Sequence, residues 1–215
     1  MREPRDRREV YDRLIEVGTD AARRGLVSAS GGNLSARIPG GETFVVTGTG
    51  TWLDHLEPDD FCEIDLTTGV VVGGNPAPSS EFKLHLRTYQ VRLDIRSIVH
   101  LHPQTAVLVD ALGYEIRPLT LDQVSYLRKI NRIDFFPNAS DELADAAAEA
   151  SRDSNAIVMA NHGCSCLGDS VPMAYRRALN LEDAAQASFR AILARQPGLC
   201  FPPQHVPPLH GFAVV

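Results

Sequence analysis

The sequence predicts a mixed α/β protein built around one layered core, and three observations predict it. Amphipathic helical spacing opens and closes the chain, short β-branched runs punctuated by glycine fill the stretches between, and no internal repeat or low-complexity linker divides it. With 215 residues, 44% hydrophobic and 22% charged, the chain can bury a sizeable core but is tight for two independent ones. One domain is expected over residues 1–215, with a core from about 10 to 193 and a C-terminal tail over 196–215.

The elements follow in order. Val10, Leu14, Val17 and Ala21 recur at helical spacing between Arg5 and Arg24, and Gly25 stands where a C-cap belongs. Strands are expected over Ser35–Ile38, Thr43–Thr47, Cys62–Asp65 and, after a turn at Thr67–Gly69, Val70–Val72, largely antiparallel because the connections are short. Pro76 and Pro78 bar a helix before Ser79, and Glu81–Val91 resumes a helical pattern. Ile95–Leu101 reads as a strand leading to Pro103, a residue tolerated in the first turn of a helix ending near Leu112. A further strand fits Arg132–Phe136. Ser140 or Asp141 caps a helix to Ser151, Ala156–Ala160 is a buried strand, and Val171–Leu193 is a long helix with Pro172 near its start. From Gln196 the tail is proline-rich and expected to be extended.

Composition narrows the function. A formal net charge of -6 gives no basic footprint of the kind that drives nucleic-acid binding. No stretch approaches the roughly 20 consecutive apolar residues needed to cross a bilayer, and Met1–Val10 is charged rather than patterned as a signal peptide, so a cytoplasmic protein is expected. The four cysteines are expected reduced. Cys164 and Cys166 are separated by one residue, not the usual zinc-ligand spacing, and read as small buried residues on a strand.

Histidines carry the chemical signal. His100 and His102 end an apolar strand, where alternation sends residues two apart to one face. His162 ends a second apolar run before the turn formers Asn161 and Gly163, so two strand ends can offer three neutral nitrogens to one divalent ion with a coordination position left open, the pattern of a catalytic site. Three small-residue loops accompany them: Ser30–Arg37, Thr47–Gly50 and Ser79–Glu81, the last at a helix start suited to an anion. A plainer reading stays open for each: half-buried histidines satisfied by backbone bonds, loops that are only turns, and a Glu81 that only caps its helix.

Gly32-Asn33-x-Ser35-x-Arg37, Thr49-Gly50, Ser79-Ser80-Glu81, His100-x-His102 and His162-Gly163, in this order and spacing from about Val10 to Leu193, resemble the class II aldolase and adducin-like family. The resemblance implies a three-layer α/β/α fold with a central, mostly antiparallel mixed sheet, and a C4 homotetramer with active sites between subunits. It implies that His100, His102 and His162 hold Zn2+, with Mn2+, Fe2+ or Co2+ as alternatives, and that Glu81 is the acid/base that can also touch the metal. Asn33, Thr49, Gly50, Ser79 and Ser80 would bind the phosphate of a small substrate. The implied reaction is reversible aldol cleavage of a short sugar phosphate or related hydroxy-ketone through a metal-stabilised enediolate.

The chain departs from the pattern in its proton donors. Aldolases of the family carry a tyrosine soon after the second histidine and another in a neighbour's C-terminal tail. Counting from Pro118, the first place is held by Asp122, with Tyr126 one helical turn on, and both are candidate catalytic residues. Phe201–Val215 holds no tyrosine and offers His205 and His210. Decarboxylases, dehydratases, epimerases with Asp in place of Glu81, an iron-dependent oxygenase on the same scaffold and non-enzymatic adducin-like domains are the alternatives. The last are disfavoured by the complete set of histidines and Glu81.

Overall fold

A computed structural model describes residues 6–206. The start of the expected first helix at Arg5, and His210 in the tail, lie outside the described residues. The elements run α1 (Arg7–Arg23), β1 (Asn33–Arg37), β2 (Thr43–Thr47), β3 (Phe61–Asp65), β4 (Val71–Gly74), α2 (Phe82–Val91), β5 (Ser97–Leu101), α3 (Gln104–Ala111), α4 (Leu121–Leu127), β6 (Ile130–Ile133), α5 (Asp141–Ser151), β7 (Ala156–Met159), β8 (Gly163–Gly168) and α6 (Val171–Leu193). The strands form one eight-stranded sheet, ordered β4-β3-β2-β1-β5-β8-β7-β6. Every neighbouring pair is antiparallel except β6 with β7.

Strand alternation sorts the core into two layers. Val45, Phe61, Val99, Val158 and Cys166 face one side and pack with Val10 and Leu14 of α1, Leu127 of α4 and Ala178 and Leu181 of α6. Phe44, Cys62, Ile98, Ile157 and Leu167, each one residue away, face the other and pack with Leu84 of α2 and Leu143 and Ala147 of α5. The result is the expected three-layer α/β/α arrangement, with a mostly antiparallel sheet as its middle layer. Cys164 and Cys166 are buried free thiols on β8, as the spacing indicated.

Beyond shifts of one or two residues at several element ends, such as β1 and β5, three features differ from expectation. The strand expected over Arg132–Phe136 is β6 at Ile130–Ile133, because its parallel register with β7, Ile130 opposite Ala156 through Ile133 opposite Met159, sets its ends. Phe135 stays exposed, and Pro137 follows too closely for the ladder to continue. No element was expected over 121–127, where α4 forms on a capping box between Thr120 and Gln123. The tail is not extended throughout: Phe201 N–H donates to the Pro118 carbonyl, and Pro203–His205 makes one 3-10 turn with His205 exposed.

Candidate metal centre

The sheet's middle delivers the histidines. His100 is the fourth residue of β5, between β1 and β8, with Asn33 and Ser165 as its register partners. His102 lies just past the strand end, its backbone N–H tied to the Leu26 carbonyl at 3.1 Å. Gly32, at φ +73, runs against the His100 carbonyl where a Cβ would stand 2.9 Å from the oxygen, so a side chain there would push β1 off β5. His162 sits in the turn between β7 and β8 that Asn161 makes possible at φ 53.

The three imidazoles form a nearly equilateral triangle, with ring centroids 5.0, 5.0 and 5.1 Å apart. The Nε2 atoms of His100 and His102 are 3.0 Å apart. Glu81 closes the group, with Oε2 3.2 Å from His100 Nε2 and Oε1 3.2 Å from His162 Nε2. It occupies the N-cap position of α2, yet its side chain makes no cap bond and turns to the histidines instead, contrary to the plain capping reading. Burial alone would raise the Glu81 carboxyl, but the His100 and His162 imidazoles outweigh it and hold the group well below the usual carboxylate range.

One ligand atom from each of Glu81, His100, His102 and His162 lies within 4.8 Å of all the others. Glu81 Oε1 and His100 Nδ1 are buried without a hydrogen-bond partner. Lone pairs crowded together out of water repel unless a proton or cation lies among them, and the donor set, three nitrogens and a carboxylate, suits Zn2+ or a similar divalent ion. The residues present therefore fit a metal.

The anion loops meet beside this group. Thr49 N–H donates to the Ala77 carbonyl at 2.9 Å and Ser79 N–H to the Thr47 carbonyl at 3.0 Å, which sews the second loop to the third. The Thr49 hydroxyl donates to the Pro78 carbonyl at 2.8 Å. Gly50 and Ser80 are exposed, whereas Ser79 is buried and its Oγ accepts the Glu81 backbone N–H at 3.3 Å. Asn33, from the first loop, donates through Nδ2 to Glu81 Oε2 at 2.9 Å and leaves its second N–H for a ligand.

Asp122 and Tyr126 are not brought to the cluster within this chain. Asp122 is exposed on α4. Tyr126 lies under the Arg176 guanidinium, 5.2 Å from its ring centroid, and its carbonyl accepts from Arg177 Nε at 3.1 Å. A group the sequence reading passed over is His85, wholly buried one turn after Glu81 with Asn33 and Ser35 on its two nitrogens. The Glu81-x-x-x-His85 spacing, which puts both on one helix face, was the signal available.

Burial, with His100 second, pushes His85 down to about 3 from its ordinary 6.5. An unfolded chain therefore binds a proton that the folded one refuses as pH falls below 6.5, so the contribution is present above that value and lost on acidification. Between there and about pH 5, His85 alone should cost the metal-free protein about 2 kcal/mol. Urea midpoints across this range check it: a decline that His85→Gln flattens is expected, and an equal decline in the variant would contradict it.

Comparison with known proteins places these features in context. Residues 12–189 match the family model described as the Class II Aldolase and Adducin N-terminal domain. The chain is 34% identical over 189 residues to an L-fuculose phosphate aldolase from Methanocaldococcus jannaschii, covering 88% of this chain and 94% of that one. It is 31% identical over 195 residues to a 5-deoxy-D-ribulose 1-phosphate aldolase from Bacillus thuringiensis, covering 87% and 88%. The crystal structure of L-fuculose-1-phosphate aldolase from Thermus thermophilus superimposes with a TM-score of 0.78 at 31% identity, covering 88% of this chain and 97% of that one.

Proposed function

This chain belongs to the class II aldolase and adducin family, and on that premise we propose that it is a metal-dependent lyase that reversibly cleaves a short sugar phosphate, or a related hydroxy-ketone, into a three-carbon ketone and an aldehyde. The observation that carries this reading is the complete group of buried Glu81 and His100 with half-buried His102 and His162, set beside Asn33, whose second amide N–H is left for a ligand.

In this reading His100, His102 and His162 hold the ion, Zn2+ first with Mn2+, Fe2+ or Co2+ as alternatives, and Glu81 shares it. The ion, when bound, supplies Lewis acidity at a substrate oxygen beside the bond that breaks. Glu81, kept ionised by its neighbours, takes and returns the proton at the carbon next to the carbonyl. The free N–H of Asn33 and the Thr49–Gly50 and Ser79–Ser80 loops hold the phosphate. Asp122 and Tyr126, apart from the cluster within one chain, serve as proton donors only across a subunit contact, which a homotetramer would provide. The proposed compartment is the cytoplasm; among the described residues no helix is long and apolar enough to cross a membrane.

The test is cleavage itself. Purified protein loaded with zinc should release an aldehyde, trapped by a coupled dehydrogenase, from a phosphorylated ketose, and should exchange a proton of dihydroxyacetone phosphate with heavy water without aldehyde present. Interconversion of sugar isomers without free aldehyde would make it an epimerase, and carbon dioxide release from a keto acid a decarboxylase. Elemental analysis of freshly purified protein, before any metal is added, identifies the ion, and light scattering the assembly.

A further inference from the structure

Behind Glu81 lies a row of buried polar side chains, of which the proposed reaction uses only Asn33. Asn33, Ser35 and Arg37 alternate along β1 and face α2, which presents Glu81, His85 and Tyr89 one turn apart. Two residues along a strand span about 6.7 Å and four along a helix about 6 Å, so the two rows mesh. Asn33 meets Glu81 and His85, Ser35 meets His85 and Tyr89, and Arg37 lies over the Tyr89 ring at 4.9 Å and donates to its carbonyl at 2.6 Å. Ser35, His85 and Tyr89 are 0% exposed and Asn33 3%, so water does not complete any of these bonds.

The direction of every bond follows from one end. A carboxylate only accepts, so Asn33 turns its amide nitrogen to Glu81, 2.9 Å away, and its carbonyl oxygen to His85. That oxygen requires a proton on His85 Nε2. A neutral imidazole then has a bare Nδ1, which accepts the Ser35 hydroxyl at 2.6 Å, and Ser35 Oγ in turn accepts the Tyr89 hydroxyl at 2.8 Å. Burial favours the neutral forms of both His85 and Tyr89. The opposite tautomer would set a bare nitrogen against the Asn33 oxygen, and flipping Asn33 to relieve that would set its oxygen against the Glu81 carboxylate. Two acceptors would face each other in either case.

We propose that His85 is a positioning residue: its ring, held in place by Ser35 and Tyr89 and carrying its proton on Nε2, locks the Asn33 carboxamide and through it holds the Glu81 carboxylate toward His100 and His162. All the donors of this chain point toward the metal group, so the carboxylate is presented to an ion in one orientation, with the second Asn33 N–H directed away from Glu81. The role in turnover rests on the lyase reading; the role in presenting Glu81 to an ion does not.

Nitrogen-15 histidine spectra of the zinc-loaded protein, with His85 assigned by the signals lost in His85→Gln, read the tautomer directly. The expected result is one proton, on Nε2, unchanged from about pH 6 to 8, and kept in Ser35→Ala because the Asn33 oxygen still requires it. A proton on Nδ1 in the parent protein overturns the proposal. Zinc affinity, measured by competition with a chelator, tests positioning without reference to activity. His85→Leu and Ser35→Ala should weaken zinc binding by about 10- to 100-fold, while His85→Gln, whose amide can still donate to Asn33 and accept from Ser35, should recover most of the loss. Should His85→Leu fail to fold, Ser35→Ala carries the test alone. Unchanged affinity in Ser35→Ala, or equal loss in the Gln and Leu variants, overturns positioning. Absence of lyase activity with the expected tautomer and affinities would instead overturn the proposed reaction alone.

Discussion

Glu81→Gln should lower kcat by about 10²- to 10⁴-fold, the usual worth of a positioned acid/base group, while zinc, held less tightly, still loads onto the three histidines at saturating metal. The variant keeps the shape of the side chain and can still meet Asn33, so the helix start and the buried row should survive. It removes the group able to take a proton, and proton exchange into dihydroxyacetone phosphate should be lost with it. Circular dichroism and elemental analysis would show an intact, metal-loaded protein. Persistent exchange in that protein would move the base elsewhere, with Asp122 the next residue to change. The opposite combination is expected for His102→Ala: it should lose the ion and the activity together and keep its fold, because the ion is held at strand ends outside the two apolar layers.

Gly163→Ala should damage stability and the centre at once. Gly163 opens β8 directly after His162, and a Cβ there would overlap the Leu101 carbonyl oxygen and lie 2.6 Å from the His102 ring. Neither obstacle is a flexible side-chain tip: one is the backbone of the central strand and the other an imidazole of the triangle. Relieving the overlap means moving β8 away from β5 or turning His102 out of place. A cost of about 1–3 kcal/mol is expected for such overpacking, read as a lower thermal midpoint, together with weaker zinc binding. A variant with parental midpoint and parental affinity would show that this contact gives way freely.

Periodicity made some of this legible in advance. The bounds of α6 follow from a long amphipathic run with Pro172 in its first turn, and those of β2 from a β-branched run closed by glycine. Alternation brought His100 and His102 together. Long-range pairing was not legible. The ends of β6 are set by register with β7, a choice between partners that local preference for aromatic and branched residues cannot make. α4, only seven residues long, is too short to show a period, although Thr120 and Gln123 spelled its cap. In the centre, the convergence of Asn33 on Glu81 joins residues 48 apart in sequence, and nothing in either segment names the other. Resemblance supplied that link for Glu81 and Asn33. It offered nothing for His85, whose meaning depends on the meshing of a strand row with a helix row.

The position of β5 in the sheet bears on how the molecule assembles. Its neighbours β1 and β8 lie far before and far after it in the chain, and the four residues of the metal group come from α2, β5 and the turn before β8. A partly folded chain in which β5 has formed alone sets only His100 and His102 side by side, with neither the third imidazole nor a registered Asn33 to orient the Glu81 carboxylate. Pairings across such sequence distances pay their loop-closure entropy before they return any contact energy, and so form late. Tight binding of an ion is thus reserved for chains whose sheet has closed, and its binding energy is added to that state alone. Metal occupancy becomes a marker of completed folding.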